Sequence, residues 1–329
     1  MATSVADPAA HPGDQHEIPG YQPHTSALDP LKSRITLHYD LASDYYHRLW
    51  GQHIHHGLFT PTITTKEAAQ TNLIDHLLKL SALQPNGTVL DVGCGLGGTT
   101  RYLAKHRAAT VTGITISSKQ VEIARRITAE ECPPAAAGST KPATEGPLAE
   151  TPFQPYEPGQ VRYLHLDADL LRTTFPPSSY NTVWISECLS HIPNKPLFFD
   201  STFTLLTPSG TLVLADWFKA PSLTAEQITS DIKPIEDGML LPGLNTMDEY
   251  VQMAETAGLR LVAGPEDLSL GVAKTWDISW SLVSSPALWA YAISQGRDGL
   301  AFLQSFRAMR RGYANGNFRY GVMIFEKPT

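Results

Sequence analysis

Cysteine is scarce in this sequence, with three residues among 329. Cys94, Cys132 and Cys188 have neither the spacing of a zinc motif nor that of a small disulfide-rich domain, so the sequence predicts a chain of a reducing compartment. Long apolar runs are also missing, since no stretch approaches the ~20 residues of a membrane-spanning helix. We therefore expect a cytoplasmic chain without a membrane span.

Positive charge is also in short supply. The net charge of -7 disfavours nucleic acid or an anionic membrane as a partner. Residues 1–30 contain five prolines and no Lys or Arg, so they resemble neither a signal peptide nor a transit peptide and are predicted to form a disordered tail. Residues 132–160 are rich in Pro and Ala and are predicted to be a flexible insertion without a packed element.

Short apolar runs alternate with helix-length segments in the middle of the chain. Alternation of this kind predicts parallel βαβ units, and hence an α/β fold of the Rossmann-like type, with a doubly wound, mostly parallel sheet and helices on both faces. The expected strands are 88–92, 110–114, 161–166, 182–186 and 211–215, and the expected helices are 66–83, one ending at 105, and 119–130.

The same pattern suggests how the chain is organised. Residues 66–219 form the predicted core. Residues 31–65, which are rich in aromatic residues and histidine, are predicted to be a lid. Residues 220–329 are predicted to form a cap and the final strands, and the aromatic side chains of this cap would suit a flat, apolar acceptor.

A glycine-rich turn follows the first predicted strand. Gly93, Gly95 and Gly97 allow a tight turn and a close approach of the backbone to a ligand, and the next helix directs its free amides to the same place. Asp91 lies two residues before the turn, where its carboxylate can hold the loop or meet an ammonium group. A dinucleotide oxidoreductase is the alternative, but residues 110–117 carry no acidic residue for the ribose of NAD.

Polar side chains follow the later strands, at the edge where an open α/β sheet binds ligands. Asp167 and Asp169 follow the third strand, and we expect one of them, by preference Asp169, to accept a hydrogen bond from an adenine amino group. Glu187 and His191 follow the fourth strand. Asp216 ends the fifth and is predicted to orient His191 as a general base.

The glycine turn, D-V-G-C-G-L-G-G, resembles motif I of class I methyltransferases that use S-adenosylmethionine, and this motif includes Cys94. Four further segments are similar to γ-tocopherol methyltransferases: Y-D-L-A-S-D-Y-Y with L-W-G-Q-H-I-H-H-G-L-F, W-I-S-E-C-L-S-H-I-P, L-P-G-L-N-T-M-D-E-Y and R-R-G-Y-A-N-G-N-F-R-Y-G. The resemblance extends to related alkaloid N-methyltransferases and sugar O-methyltransferases. It implies cofactor contacts from His55, Gly93, Gly95, Thr115, Ile116, Gln120, Asp169, Leu170 and Glu187.

The resemblance also implies the activity: methyl transfer from S-adenosylmethionine, with S-adenosylhomocysteine as product, to a small, largely apolar or aromatic acceptor of secondary metabolism. His191 and Asp216 match the base and its partner in the related sugar O-methyltransferase. The H-x-H-H run at 53–56 has poor geometry for a metal, so none is expected. A methyltransferase-like chain that catalyses a rearrangement or regulates a partner is the alternative. The acceptor atom and the oligomeric state stay open.

Overall fold

A single eight-stranded sheet organises the molecule. The structure, a computed structural model, describes residues 31–36, 51–133, 151–282, 289, 292–293 and 296–329. The strand order is β3-β4-β2-β1-β5-β6-β8-β7. Strands β4, β2, β1, β5 and β6 run parallel, whereas β3, at one edge, is antiparallel to β4 and β8 is antiparallel to both β6 and β7. The predicted doubly wound, mostly parallel α/β sheet is therefore confirmed.

The elements have the following bounds. The strands are β1 Thr88–Val92, β2 Thr110–Thr115, β3 Gln154–Tyr156, β4 Gly159–His165, β5 Tyr180–Ser186, β6 Leu206–Lys219, β7 Arg260–Asp267 and β8 Phe318–Glu326. The helices are α1 31–36, α2 Lys66–Ser81, α3 Gly98–Arg107, α4 Ser118–Glu131, α5 Leu171–Thr174, α6 Lys195–Leu205, α7 Ala225–Gln227, α8 Lys233–Gly238, α9 Met247–Thr256, α10 Ser269–Val272, α11 Lys274–Leu282 and α12 Gly296–Asn315. Short 3₁₀ turns lie at Ala168–Leu170 and Leu189–His191, and a π-helical turn lies at Ile228–Ile232.

The sheet is buried on both faces, which explains why its central strands read as almost continuous apolar runs. Successive side chains of a strand point to opposite faces. Accordingly, Val89 packs into one large apolar cluster and Leu90 into the other. Helix α2 covers the first of these faces with Leu73 and Leu77, which lie one helical turn apart and are both buried. The core thus lies as two layers around the sheet.

Most predicted elements agree with the structure to within a few residues, with one longer strand. Strand β6 begins at Leu206 instead of at 211, and Ser209 adopts a positive φ of 59° within it. The register of β5 against β6 shifts at this point. Residues 206–210 therefore form an irregular extension at the start of the strand.

The predicted insertion at 132–160 needs a correction. Residues 134–150 lie outside the described residues, as does the predicted tail at 1–30. Residues 154–156, however, form the edge strand β3. The Tyr156 hydroxyl donates to Glu131 at 2.7 Å, and Arg162 lies 4.4 Å from the ring centroid of Phe153. The expectation of no packed element was wrong for this part, because two aromatic residues supply contacts that the Pro and Ala content conceals.

Gly97 shows how packing fixes the turn before α3. Its φ is +76°, and a Cβ added there would lie 2.6 Å from a ring carbon of Tyr163, which is fully buried. Gly316, after α12, has a similar φ of +75°, but a Cβ there would meet nothing within 4 Å. The two positions therefore share their backbone strain and differ in the close contact.

We expect Gly97→Ala to destabilise the chain more than Gly316→Ala does. The left-handed backbone alone costs about 1–2 kcal/mol for a residue with a Cβ, and overpacking against Tyr163 adds about 1–3 kcal/mol at position 97. The free energy of unfolding, measured with a chemical denaturant, checks this. Equal losses in the two variants would contradict the packing argument.

Candidate active site

The glycine turn between β1 and α3 forms the floor of a cavity of ≈ 150 Å³ at the carboxyl ends of the parallel strands. Gly93 and Cys94 both donate their backbone N–H to the carbonyl of Ile114 at 2.9 Å, which ties the turn to β2. Gly93 has a φ of +73°, and a Cβ there would lie 2.3 Å from the sulfur of Cys188. Only glycine fits where the turn contacts the loop after β5 that carries Cys188.

Gly95 faces the cavity. Its φ is +54°, and the nearest atom to an added Cβ would be Cδ1 of Ile54, at 4.0 Å. Open space of this kind on the cavity side lets a ligand approach the backbone.

Asp91 is buried at the end of β1, where its Oδ2 accepts a hydrogen bond from the Thr100 hydroxyl at 2.6 Å. Burial raises the pKa of Asp91 to about 6, against the opposing effect of that hydrogen bond. A carboxyl group in this state would ionise beside a cationic ligand group. Asp91 thus holds α3 to the turn and is able to receive an ammonium group.

Most of the predicted site residues line this cavity. They are His55, Asp91, Gly93, Cys94, Gly95, Thr115, Ile116, Gln120, Glu187 and His191. The predicted residues that lie outside the lining are Gly97, Asp169, Leu170 and Asp216. The sequence therefore predicted the glycine turn and several other residues that line the cavity, whereas these four residues lie outside the lining.

The adenine end shows the largest difference from the expected pattern. Asp167 lines the cavity, whereas Asp169 lies in the following 3₁₀ turn and Leu170 is 44% exposed. Lys32 of α1 pairs with Asp167, at 2.8 Å, and also with Asp169. Asp167 therefore lines the cavity and Asp169 does not, and the preferred adenine contact of Asp169 stays a prediction.

The wall after β2 is built by hydrogen bonds within one loop. The Thr115 hydroxyl donates to Oε1 of the Gln120 side chain at 2.6 Å. The backbone N–H of Gln120 donates to the hydroxyl of Ser117, which caps α4. These bonds hold the Gln120 side chain at the cavity although it lies one turn into the helix. Ile116 supplies an apolar surface beside it.

Histidines of the 51–65 segment close the opposite side. Nδ1 of His55 lies 2.8 Å from the carbonyl of His56, so it carries the proton. Its Nε2 is then a bare acceptor, and it is buried with no hydrogen-bond partner among the described residues. Burial, with smaller effects from His55 and Arg101, lowers the pKa of His53 to about 3. Burial also lowers the pKa of His55, so both rings are neutral. The described residues contain no cluster suited to a metal.

Glu187 is the carboxylate nearest to these histidines. It follows β5 with a positive φ of 53°, which is unusual for a residue with a side chain. Its oxygens accept from the backbone N–H of His56 at 2.7 Å and from the Tyr320 hydroxyl at 2.8 Å. Glu187, the carboxylate predicted after residues 182–186, thus lies in the cavity wall and also binds residues that are distant in sequence.

His191 lies on the 3₁₀ turn after Glu187 and lines the cavity. Asp216 is fully buried behind this turn, and its oxygens accept from the backbone amides of Ser190, at 2.6 Å, and Trp217, at 2.8 Å. Burial raises the pKa of Asp216 to about 7. Its described hydrogen bonds thus hold the backbone of the turn, and its predicted pairing with the imidazole stays a prediction.

Lys195 holds the other end of the turn. It is buried, and its ammonium group donates to the carbonyl of Ile192 at 3.1 Å. Burial lowers the pKa of Lys195, although the nearby carboxylate of Asp216 acts in the opposite direction. Lys195 and Lys32 carry no sequence signal, because a lone lysine in a helix forms no motif.

His56 as a partner of Glu187, and Trp276 as a partner of His56, were also missed. Trp276 was noted only within the aromatic set of the cap, and His56 only within the histidine run. Their separation of 220 residues hides the hydrogen bond between them from any local pattern.

Two family models match the chain. The model of mycolic acid cyclopropane synthetase matches residues 27–135, and a methyltransferase domain model matches residues 90–214. The second match spans the glycine turn, the loop of Glu187 and most of β6.

Curated relatives share about a quarter of their residues with this chain. A probable tocopherol O-methyltransferase, chloroplastic, from Oryza sativa subsp. japonica is 26% identical, over 91% of this chain and 79% of the relative. A 2-methyl-6-phytyl-1,4-hydroquinone methyltransferase from Synechocystis is 28% identical, over 85% of this chain and 81% of the relative. A solved structure of the mycolic acid cyclopropane synthase CmaA1 with SAH matches with a TM-score of 0.73 and 18% identity, over 90% of this chain and 98% of that one.

The raised pKa of Asp91 predicts a pH effect on stability. Since its pKa is higher in the folded chain than the ~3.9 of an unfolded aspartate, the folded chain holds this proton more tightly. Its contribution to stability is therefore complete below about pH 4 and falls as the pH rises to about 6.

Asp91→Asn cannot ionise, so we expect its free energy of unfolding to fall less steeply between pH 4 and 6, by up to about 1.4 kcal/mol per pH unit. Denaturant titrations at several pH values measure this slope. Asp277→Asn, at an exposed position, is the control and should keep the slope of the unmodified chain. An unchanged slope in Asp91→Asn would show that Asp91 is ionised throughout.

Proposed function

Because the chain is a class I methyltransferase that uses S-adenosylmethionine, we propose that the cavity beside the glycine turn binds this methyl donor and that the chain methylates a small, largely apolar or aromatic acceptor. The observation that carries the proposal is the convergence of ten predicted residues on one cavity at the carboxyl ends of the strands. This edge is where open α/β sheets bind ligands.

The residues present fit the donor. Gly95 leaves open the space that a Cβ would fill, and the buried Nε2 of His55 is an acceptor in need of a donor such as an ammonium or hydroxyl group. Asp91 and Glu187 would hold the cationic parts of the donor, and Asp167 its adenine end. When bound, S-adenosylmethionine supplies a methyl group that is activated by positively charged sulfur.

The chain's own contribution is alignment, exclusion of water and removal of a proton from the acceptor. His191 lines the same cavity, and its turn is fixed at both ends by Asp216 and Lys195. We assign to the His191 imidazole the removal of the acceptor proton. A hydroxyl, phenol or amide acceptor would need this base, whereas a neutral amine would not.

The acceptor class rests on the relatives and on the cap. One relative is named for a phytyl hydroquinone, which is both aromatic and apolar. The aromatic side chains Trp276, Phe302 and Phe306 pack together in the cap beside the histidine segment, with ring centroids 5.0–5.2 Å apart in each contact.

A role in secondary metabolism and a cytoplasmic location complete the proposal. None of the described helices is long and apolar enough to cross a membrane.

Gly95→Val tests the cavity assignment. S-adenosylhomocysteine should raise the melting temperature of the unmodified chain by mass action. A valine side chain at position 95 would point into the cavity, so we expect the shift to disappear. Gly316→Val has a similar backbone strain at an open position and should keep the shift. A normal shift in Gly95→Val would move the binding site elsewhere.

His191→Ala tests the base. With a hydroxyl, phenol or amide acceptor, we expect kcat to fall by ~10²-fold or more, while the affinity for S-adenosylhomocysteine stays nearly unchanged. Part of the lost rate should return at high pH, where the acceptor ionises unaided. Mass spectrometry that detects the gain of one CH₂ in the product identifies the reaction as methylation.

His106→Ala, at an exposed position on α3, is the control for the loss of an imidazole and should keep full activity. Full activity in His191→Ala would show that alignment alone carries catalysis. A product without added mass would favour the alternative of a rearrangement.

A further inference from the structure

Glu187 joins three distant parts of the chain at the wall of the cavity. It follows β5, and it binds His56 of the 51–65 segment and Tyr320 of β8. Its side chain is only 7% exposed, and its backbone is in the left-handed region. Backbone strain of this kind persists only where the surroundings fix it, and it concentrates at functional sites.

Among the described residues, three groups lie within hydrogen-bond distance of this carboxylate. Oε1 accepts from the backbone N–H of His56 at 2.7 Å and from the Tyr320 hydroxyl at 2.8 Å. Oε2 lies 2.9 Å from Nδ1 of the His56 ring. The two oxygens are therefore held in one orientation by groups from two other chain segments.

The protonation of the His56 ring follows from Trp276. The indole N–H of Trp276 lies 2.6 Å from Nε2 of His56, and an indole nitrogen can only donate. Nε2 must then accept, so the single ring proton is on Nδ1 and is donated to Glu187. The Tyr313 hydroxyl, 3.3 Å from the same Nε2, is a second possible donor. A doubly protonated ring would place two hydrogens between Nε2 and the indole.

Glu187 is thus a buried carboxylate whose described donors are all neutral. Burial acts to raise the pKa of Glu187, and the hydrogen bonds from the ring and the backbone of His56 act to lower it. No Lys or Arg in the described part of the chain forms an ion pair with it. A buried anion without a cation is costly. The negative charge of Glu187 is therefore uncompensated until a positive charge enters the cavity.

We propose that Glu187, oriented by a neutral His56, is the counter-ion of the positively charged sulfur of the methyl donor, and that it makes the cavity prefer the donor over the spent product. This inference rests on the proposed function. During transfer the electron pair of the breaking sulfur–carbon bond stays on sulfur, so sulfur becomes neutral as the acceptor gains the methyl group. Glu187 then loses its counter-ion, which favours product release. Glu187 contacts the donor, whereas His56 is a positioning residue.

Two ligands that differ in this charge allow a direct test. S-adenosylmethionine and S-adenosylhomocysteine share the adenine, ribose, ammonium and carboxylate groups, and they differ at sulfur. Isothermal titration calorimetry on the full chain gives the two dissociation constants and their ratio. In Glu187→Gln we expect the affinity for S-adenosylmethionine to fall by about tenfold more than the affinity for S-adenosylhomocysteine, since charge pairing is strong in a buried site.

The surface pair of His76 and Glu266 is a matched control. Nε2 of His76 lies 2.9 Å from Oε2 of Glu266, and both side chains are partly exposed. Glu266→Gln removes the same charge from a His–Glu pair away from the cavity, and the ratio of the two dissociation constants should stay unchanged. Thermal melting shows which variants are folded. If Glu187→Gln is unfolded, Tyr320→Phe removes one donor from Glu187 and should change the ratio in the same direction, by less.

The ring state of His56 has its own readout. Nitrogen NMR of the unmodified chain at neutral pH should show one ring proton, on Nδ1. In Trp276→Phe the Nε2 atom loses its indole donor and can take a second proton, which gives Glu187 an internal cation. We then expect protons on both ring nitrogens and a ratio that moves toward that of Glu187→Gln.

Two results would overturn the inference. They are an unchanged ratio of the two dissociation constants in Glu187→Gln, whether or not both affinities fall, and a doubly protonated His56 in the unmodified chain. Failure of the unmodified chain to bind either ligand would instead contradict the proposed function.

Discussion

The contact between the glycine turn and the loop after β5 determines the shape of the site. Gly93 and Cys188 approach so closely that a Cβ on Gly93 would overlap the cysteine sulfur. This approach is possible only because position 93 lacks a side chain and tolerates a positive φ. It brings the end of β1 against the loop that carries Glu187 and His191. The cavity exists because these two loops meet.

Three buried carboxyl groups surround this contact, and their partners give each a different role. Asp91 has one hydroxyl donor and a raised pKa, Asp216 accepts two backbone amides and also has a raised pKa, and Glu187 is bound by His56 with a lowered pKa. Burial acts on all three in the same direction, so the difference comes from the donors. Negative charge is thereby concentrated on Glu187, the one carboxylate of the three that is held by both the 51–65 segment and β8.

Local patterns predicted the sheet and the floor of the cavity, because apolar runs and glycine turns are properties of neighbouring residues. The expected pairing of Asp216 with His191 rested on adjacent strand ends and stays a prediction, and sequence could not show that Asp216 accepts the backbone amides of Ser190 and Trp217. Strand β3 was missed because aromatic contacts, and not apolar content, hold it. The link from Trp276 to His56 spans 220 residues, and only the folded chain brings the two together.

The position of β8 between β6 and β7 also has a consequence for how the chain folds during synthesis. β6 is complete about a hundred residues before β8, which pairs with it along Thr211 to Lys219, leaves the ribosome. Until then one edge of the nascent sheet is unpaired, and such edges favour aggregation. The same delay withholds Tyr320 from Glu187. The cavity wall at Glu187 is therefore completed only after β8 has been synthesised, so a chain that stalls before β8 would hold most of the sheet and lack a finished site.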